Sequence, residues 1–279
     1  MSRHIIYNGE LIKNENNFSA EHPLIQGTNA LRFEWFVVSS ALPFYQDEFR
    51  RIVNIADKKG LKLPGWMTSG TFSQDIRHLF QMNRIYQGGL LRMIIFTDIT
   101  GGKASYLMTA APKSNQQFVL NDDGFLIDVF RRHRLYSGSA EIYDTGLSAT
   151  ETSALFDMHV GKYDQIILLN EVNHVARFIG ANFMLINDDV AYIPALEEGA
   201  IDDVMRQKVI EACLNLKLKV FDDCIIHQND LKSAKEILVL HPVDGIRWVV
   251  GYQEKRYFRH YSPALNGELN RLFFGHPRK

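Results

Sequence analysis

With 279 residues, 46% of them hydrophobic and 23% charged, the chain has room for two medium domains and is neither fibrous nor extensively disordered. Thirty-one Lys and Arg against 32 Asp and Glu leave a net charge of −1, without the positive surplus that a phosphate backbone demands, so nucleic acid is not an expected partner. Two cysteines make neither a disulfide framework nor a metal cage, and no apolar run reaches the roughly 18 residues of a membrane span or resembles a signal peptide, so a soluble, cytoplasmic globular protein is expected.

Ile5-Ile6-Tyr7 and Glu10-Leu11-Ile12 flank Asn8-Gly9, a hairpin signal because such a turn needs positive φ at both central positions. Phe33 to Val38 reads as a strand. A helix is predicted over Gln46 to Lys59, with Phe49, Ile52, Val53 and Ala56 as its apolar stripe and Gly60 as its stop; another is predicted over Ser73 to Tyr86. Strands follow at Leu91 to Thr97 and Ala104 to Thr109, with Gly101-Gly102 turning between them. Pro112 and the polar residues up to Gln117 break the pattern, which places an N-terminal α+β domain at residues 1–115 and a C-terminal one at 116–279.

The second half reads as a strand at Phe125 to Phe130, a helix at Thr150 to Val160, and strands at Gln165 to Leu169, Val175 to Phe178, Phe183 to Ile186 and Val190 to Ile193. Val204, Val209, Ala212, Cys213 and Leu216 recur at helical spacing over Asp203 to Leu216. The tail reads as strands at Glu236 to Leu240, Ile246 to Tyr252 and Arg256 to Tyr261, then a short helix after Pro263. Strands mixed with segregated helices, rather than a regular βαβ alternation, give an α+β class. There is no GxGxxG and no P-loop.

Read as chemistry, the residues alone say little. Arg131-Arg132-His133-Arg134 offers guanidinium forks for a carboxylate, but such a run is more simply a solvated charge cluster. His227 and His241 lack ligand spacing, so no metal is expected. Asp202-Asp203 stands where a helix should begin, and complementing its dipole is the plainer role.

Several segments together resemble the class IV aminotransferases, the fold-type-IV pyridoxal-phosphate family, and among them the aminodeoxychorismate lyases. IIYNGEL (Ile5 to Leu11) resembles the family's opening hairpin, and DEFRRI (Asp47 to Ile52) its HxxRL helix. VARFIGANF (Val175 to Phe183), Tyr192-Ile193-Pro194, Glu198-Gly199 followed by Asp203-Val204-Met205-Arg206, and GIRWV (Gly245 to Val249) follow in the family's order and spacing. The resemblance implies a two-domain D-amino acid aminotransferase-like fold, pyridoxal phosphate as cofactor, a pocket at the domain junction and a homodimer.

That chemistry needs a lysine for the Schiff base, a carboxylate on the pyridine nitrogen, and an arginine, backbone amides and a hydroxyl on the phosphate. By position, Arg51 is the phosphate arginine, with Glu48 where the family has histidine. Val204, Met205 and Arg206 stand where the phosphate-binding turn enters its helix, with Asp203 in place of the usual glycine, and Leu240 replaces a phosphate-touching threonine. A carboxylate at that point would repel an anion. Arg177, five residues before Asn182, falls on the pyridine-nitrogen glutamate. The lysine position falls on Asp144, or Tyr143 in the adjacent register, and no lysine occurs between Ser114 and Gly161. The pocket-edge YGDGxFE is reduced to Phe33-Glu34.

The expectation is therefore a family member that has lost pyridoxal-phosphate catalysis. Its old pocket would either take a small anionic ligand among Arg51, Arg177 and Arg206 or be closed by those arginines pairing with Asp144 and Asp203. The alternative is an active aminotransferase or lyase whose lysine comes from elsewhere, such as Lys103 or Lys162.

Overall fold

The computed structural model describes residues 2–15, 30–97, 104–137 and 148–275. Gln117 and Phe118 mark the division between two compact units.

In the first unit, Asn8 (φ 48°) and Gly9 (φ 83°) turn β1 (His4–Tyr7) into β2 (Glu10–Lys13), as the Asn-Gly pair predicts. With β3 (Leu31–Val38), β4 (Gly88–Thr97) and β5 (Ala104–Lys113) they form an antiparallel sheet in the order β2-β1-β5-β4-β3. β5 runs on to Lys113, through the Pro112 that the sequence reads as a break. β1 pairs with β5 only at Leu107 and Met108, so Pro112 has a partner strand on one side alone, where a missing N–H costs no ladder bond. The predicted Gly101-Gly102 turn lies outside the described residues.

Two helices accompany this sheet, α1 (Tyr45–Lys58) and α2 (Ser69–Met82), and α2 packs on β1 and β5. α1 buries Ile52, Ile55 and Ala56, whereas Val53 is 40% exposed. Ile55, one turn from Ile52, takes the place assigned to Val53. α2 starts four residues before the predicted Ser73, because Thr68 and Thr71 cap it reciprocally: the Thr68 hydroxyl accepts from the Thr71 N–H at 3.2 Å and the Thr71 hydroxyl from the Thr68 N–H at 2.8 Å. It stops at Asn83, before the predicted Tyr86, and Asn83 exchanges two hydrogen bonds with the backbone of His4.

The second unit carries a nine-stranded mixed sheet among the described residues. Its strands are β6 (Phe125–Val129), β7 (Gln165–Leu169), β8 (Val175–Phe178), β9 (Asn182–Asn187), β10 (Val190–Pro194), β11 (Lys219–Cys224), β12 (Glu236–His241), β13 (Gly245–Tyr252) and β14 (Lys255–Arg256). The order is β11-β10-β9-β12-β13-β6-β7-β8, with β14 paired to β13. β6 is parallel to both β13 and β7, and β10 is parallel to β11. β7 is apolar on both faces: Ile167 and Leu169 enter the main core with Phe178, Phe183 and Val239, while Ile166 and Leu168 meet Ala154.

Ala154 lies on α3 (Ala149–Gly161), and the other helices are α4 (Val204–Asn215), α5 (Gln228–Ser233) and α6 (Ser262–Phe274). α6 packs on α4 and β13. Leu216, placed on the apolar stripe of α4 by its spacing, is the C-cap and is 38% exposed. β11 and α5 have no counterpart in the sequence reading: KVFDDC is largely exposed, and six residues are too short for a helical period. The predicted strand Arg256 to Tyr261 is a strand only at Lys255–Arg256. No described helix is long and apolar enough to cross a membrane.

Candidate functional site

Arg177 sits in β8 opposite Leu168 and is 2% exposed. Its Nη1 donates to the Gly199 carbonyl at 3.1 Å, and its Nε lies 3.4 Å from Glu151 Oε1 as an ion pair out of line for a hydrogen bond. Gly199 has φ 104°, and a Cβ there would stand 3.1 Å from the Ala176 Cβ, so glycine is what this approach allows.

Glu151 is itself fixed. It is the third residue of α3, and its Oε2 accepts from the Ser148 N–H at 3.1 Å and the Ser148 hydroxyl at 3.2 Å, while Ser148 Oγ accepts from the Glu151 N–H. Its Oε1 also accepts from the Gly180 N–H at 3.3 Å. One buried carboxylate thus holds the first turn of α3, the turn after β8, and Arg177. Sequence reasoning missed Glu151, although Ser148-x-x-Glu151 carries the capping-box spacing.

Asn182, at the start of β9, continues the chain of contacts. It accepts from the Ile201 N–H at 2.7 Å and donates to the Ile201 carbonyl at 2.9 Å and to Asp203 Oδ1 at 3.3 Å. Asp203, 4% exposed, is the N-cap of α4; its Oδ1 accepts from the Arg206 N–H at 2.7 Å. The helix-start reading of this aspartate therefore holds. Val204 and Met205, the first two residues of α4, are buried. Leu240 is fully buried on β12 and stands opposite Asn182. Arg177, Asn182, Asp203, Val204, Met205 and Leu240 thus fall along one connected stretch of the second unit.

The Arg206 side chain turns elsewhere. Its guanidinium reaches Asp222 Oδ2 at 3.3 Å and the carbonyls of Pro194 and Asp222. Of the three arginines, Arg177 takes Glu151 and the Arg206 guanidinium takes Asp222 rather than Asp203, because those carboxylates are brought in by α3 and β11. Asp144, Tyr143 and Lys103 lie outside the described residues. In the first unit, Arg51 on α1 lies 3.8 Å from Glu48 and 5.6 Å from the centre of the Phe33 ring. Glu34 pairs with Arg92 across β3 and β4 at 2.6 Å.

Other charged groups are tied up structurally. Arg131 pairs with Asp128 at 3.3 Å, Arg132 with Asp157 at 2.9 Å, and Arg134 with the Asn173 side chain at 2.8 Å, so the basic run is a charge cluster. His174 meets Glu198 at 2.7 Å and packs edge-on against His227. Glu171 accepts from the Ser137 N–H and hydroxyl, both at 2.9 Å, and the backbone bond foremost holds its carboxyl below the usual range. Among the described residues no group of three or more His, Cys, Asp or Glu is gathered for a metal.

The family model for class IV amino-transferases matches residues 35–252. The chain belongs to that family. Its fold is that of a branched-chain aminotransferase from Thermoproteus uzoniensis, with TM-score 0.85 and 18% identity over 99% of this chain and 96% of that one. The branched-chain aminotransferase of Thermobaculum terrenum in its pyridoxal-phosphate form gives 0.83 at 13% identity, covering 98% and 94%. A Legionella pneumophila chain assigned as a 4-amino-4-deoxychorismate lyase gives 0.75 at 18%, covering 89% and 92%. No curated protein matches at a significant level.

Proposed function

We propose that this family member is catalytically degenerate for pyridoxal-phosphate chemistry, a lyase-like scaffold without the lyase's chemical groups. The observation that carries this reading is the state of Arg177. At the position from which a carboxylate would hold a protonated pyridine nitrogen stands a buried guanidinium already committed to Glu151 and the Gly199 carbonyl. A guanidinium has no acceptor to offer a pyridinium N–H.

Two further features support it. The start of α4 is capped by the chain's own carboxylate, and Leu240 brings no hydroxyl beside it. The sequence has no lysine between Ser114 and Gly161, the stretch from which the Schiff-base lysine would come. In this reading Arg51, Arg177, Val204, Met205 and Leu240 stand, by sequence position, at the family's cofactor-binding places, Asp144 stands at the lysine's place, and no residue is catalytic. The groups present do not fit the cofactor.

A small anionic ligand among the arginines is the less favoured form of the same idea, since Arg51, Arg177 and Arg206 face Glu48, Glu151 and Asp222 at 3.8, 3.4 and 3.3 Å. An active enzyme using Lys162 is disfavoured because that residue is the exposed C-cap of α3, at φ 56°. The resemblance further implies a homodimer, which light scattering would test. The functional reading is tested by titrating the purified protein with pyridoxal phosphate. An unchanged sum of the two spectra supports it; a new visible band that survives desalting overturns it.

A further inference from the structure

We infer that the Asp203 carboxylate is a built-in occupant of the anion cradle at the start of α4, closing it to phosphate. The inference rests on the degenerate reading above and gives it a cause at one residue. α4 is 12 residues long, and its first amides, those of Val204, Met205 and Arg206, have no partner within the helix. In a helix of this length they form a ready site for a tetrahedral anion. Here a carboxylate takes one of these donors from inside the chain: Oδ1 accepts from the Arg206 N–H at 2.7 Å and from the Asn182 side-chain N–H at 3.3 Å.

The occupant is held on both sides. Asn182 is locked to Ile201 by two hydrogen bonds, at 2.7 and 2.9 Å, so the segment leading into Asp203 cannot swing out without breaking them. Asp203 is 4% exposed, Val204 3% and Met205 2%, and the residue that faces Asn182 across the sheet, Leu240, is fully buried and apolar. An incoming phosphate would meet a negative charge already seated on the donor it needs, in surroundings that screen little of the repulsion. A glycine there, as the family usually has, leaves the same amides open.

The experiment is a calorimetric and thermal-shift titration of the full chain with inorganic phosphate, against chloride at matched ionic strength. It compares the native protein with Asp203→Gly and Asp203→Ser. Serine keeps a side-chain oxygen for the N-cap and so guards against loss of folding in the glycine variant. The expected result is no saturable phosphate effect on the native chain and a saturable rise in Tm, with measurable heat, in whichever variants fold. Saturable binding to the native chain at equal strength would overturn the inference, as would its absence in every variant that folds. Inorganic phosphate forms no covalent bond to lysine, so this result stands apart from the test of the functional reading.

Discussion

Glu151 and Arg177 form a buried ion pair that joins the first turn of α3 to β8, at 3% and 2% side-chain exposure. Each partner is also hydrogen-bonded to backbone, Glu151 to Ser148 and Gly180 and Arg177 to Gly199. A pair of this kind contributes less than its geometry suggests, because two ions leave water, but breaking it strands a charge.

Arg177→Met alone or Glu151→Met alone is expected to cost about 3–5 kcal/mol, while the double substitution costs clearly less than their sum. Urea unfolding followed by circular dichroism measures all three. Additive losses would mean that the two side chains act independently.

Asp203→Ala removes the cap of α4 and the acceptor for Asn182, and should lower stability by about 1–2 kcal/mol. Asp203→Asn keeps a cap oxygen and should stay within about 0.5 kcal/mol of the native chain. A large loss in the asparagine variant would show that the negative charge itself holds the segment, through the helix dipole.

Glu236 is fully buried and accepts from the backbone N–H groups of His260, Tyr261 and Ser262, at 3.2, 2.6 and 3.2 Å, at the entry to α6. Glu236→Ala leaves three donors without this acceptor and should destabilise by more than the about 1 kcal/mol of an ordinary cap. Hydrogen exchange should accelerate first in α6. Uniform acceleration across the second unit would contradict a local role.

Asp75 accepts the Tyr106 hydroxyl at 3.0 Å, and burial raises its carboxyl above the ordinary value of 3.8. A raised acid contributes stability that is complete below its unfolded value and is lost as pH rises through its folded value. Asp75→Asn keeps the acceptor and cannot ionise. Its stability should match the native chain at about pH 3.5 and exceed it at neutral pH. A difference independent of pH would contradict this.

Cys213 is fully buried, and desolvation pushes its thiol up to about 12; burial and the neighbouring Asp223 also raise Cys224, which is only partly buried. Alkylation of the native protein at neutral pH should therefore modify Cys224 slowly and Cys213 only on unfolding. Intact mass with peptide mapping reads the order, and early labelling of Cys213 would contradict the packing of α4.

Much of the fold was legible because its signals are local. Asn8-Gly9 dictates a turn, QIILL is buried on both faces of the sheet, and the spacing from Val204 to Cys213 is helical. What escaped depends on distant partners. KVFDDC forms β11 only by pairing with β10, and Pro112 is tolerated because the neighbouring strand ends early. The same holds for the site. Arg177 and Asp203 were found from their positions in motifs, but the carboxylates that meet the arginines were not. Glu151 is 26 residues from Arg177 and Asp222 is 16 from Arg206, separations that no local pattern encodes.

The most direct test of the central claim is borohydride reduction of the purified protein after incubation with excess pyridoxal phosphate, followed by denaturing intact mass. The degenerate reading predicts no adduct beyond the scattered, substoichiometric labelling of exposed lysines. A single stoichiometric pyridoxyl adduct, mapped to one lysine peptide, would contradict it and identify the residue that does the chemistry.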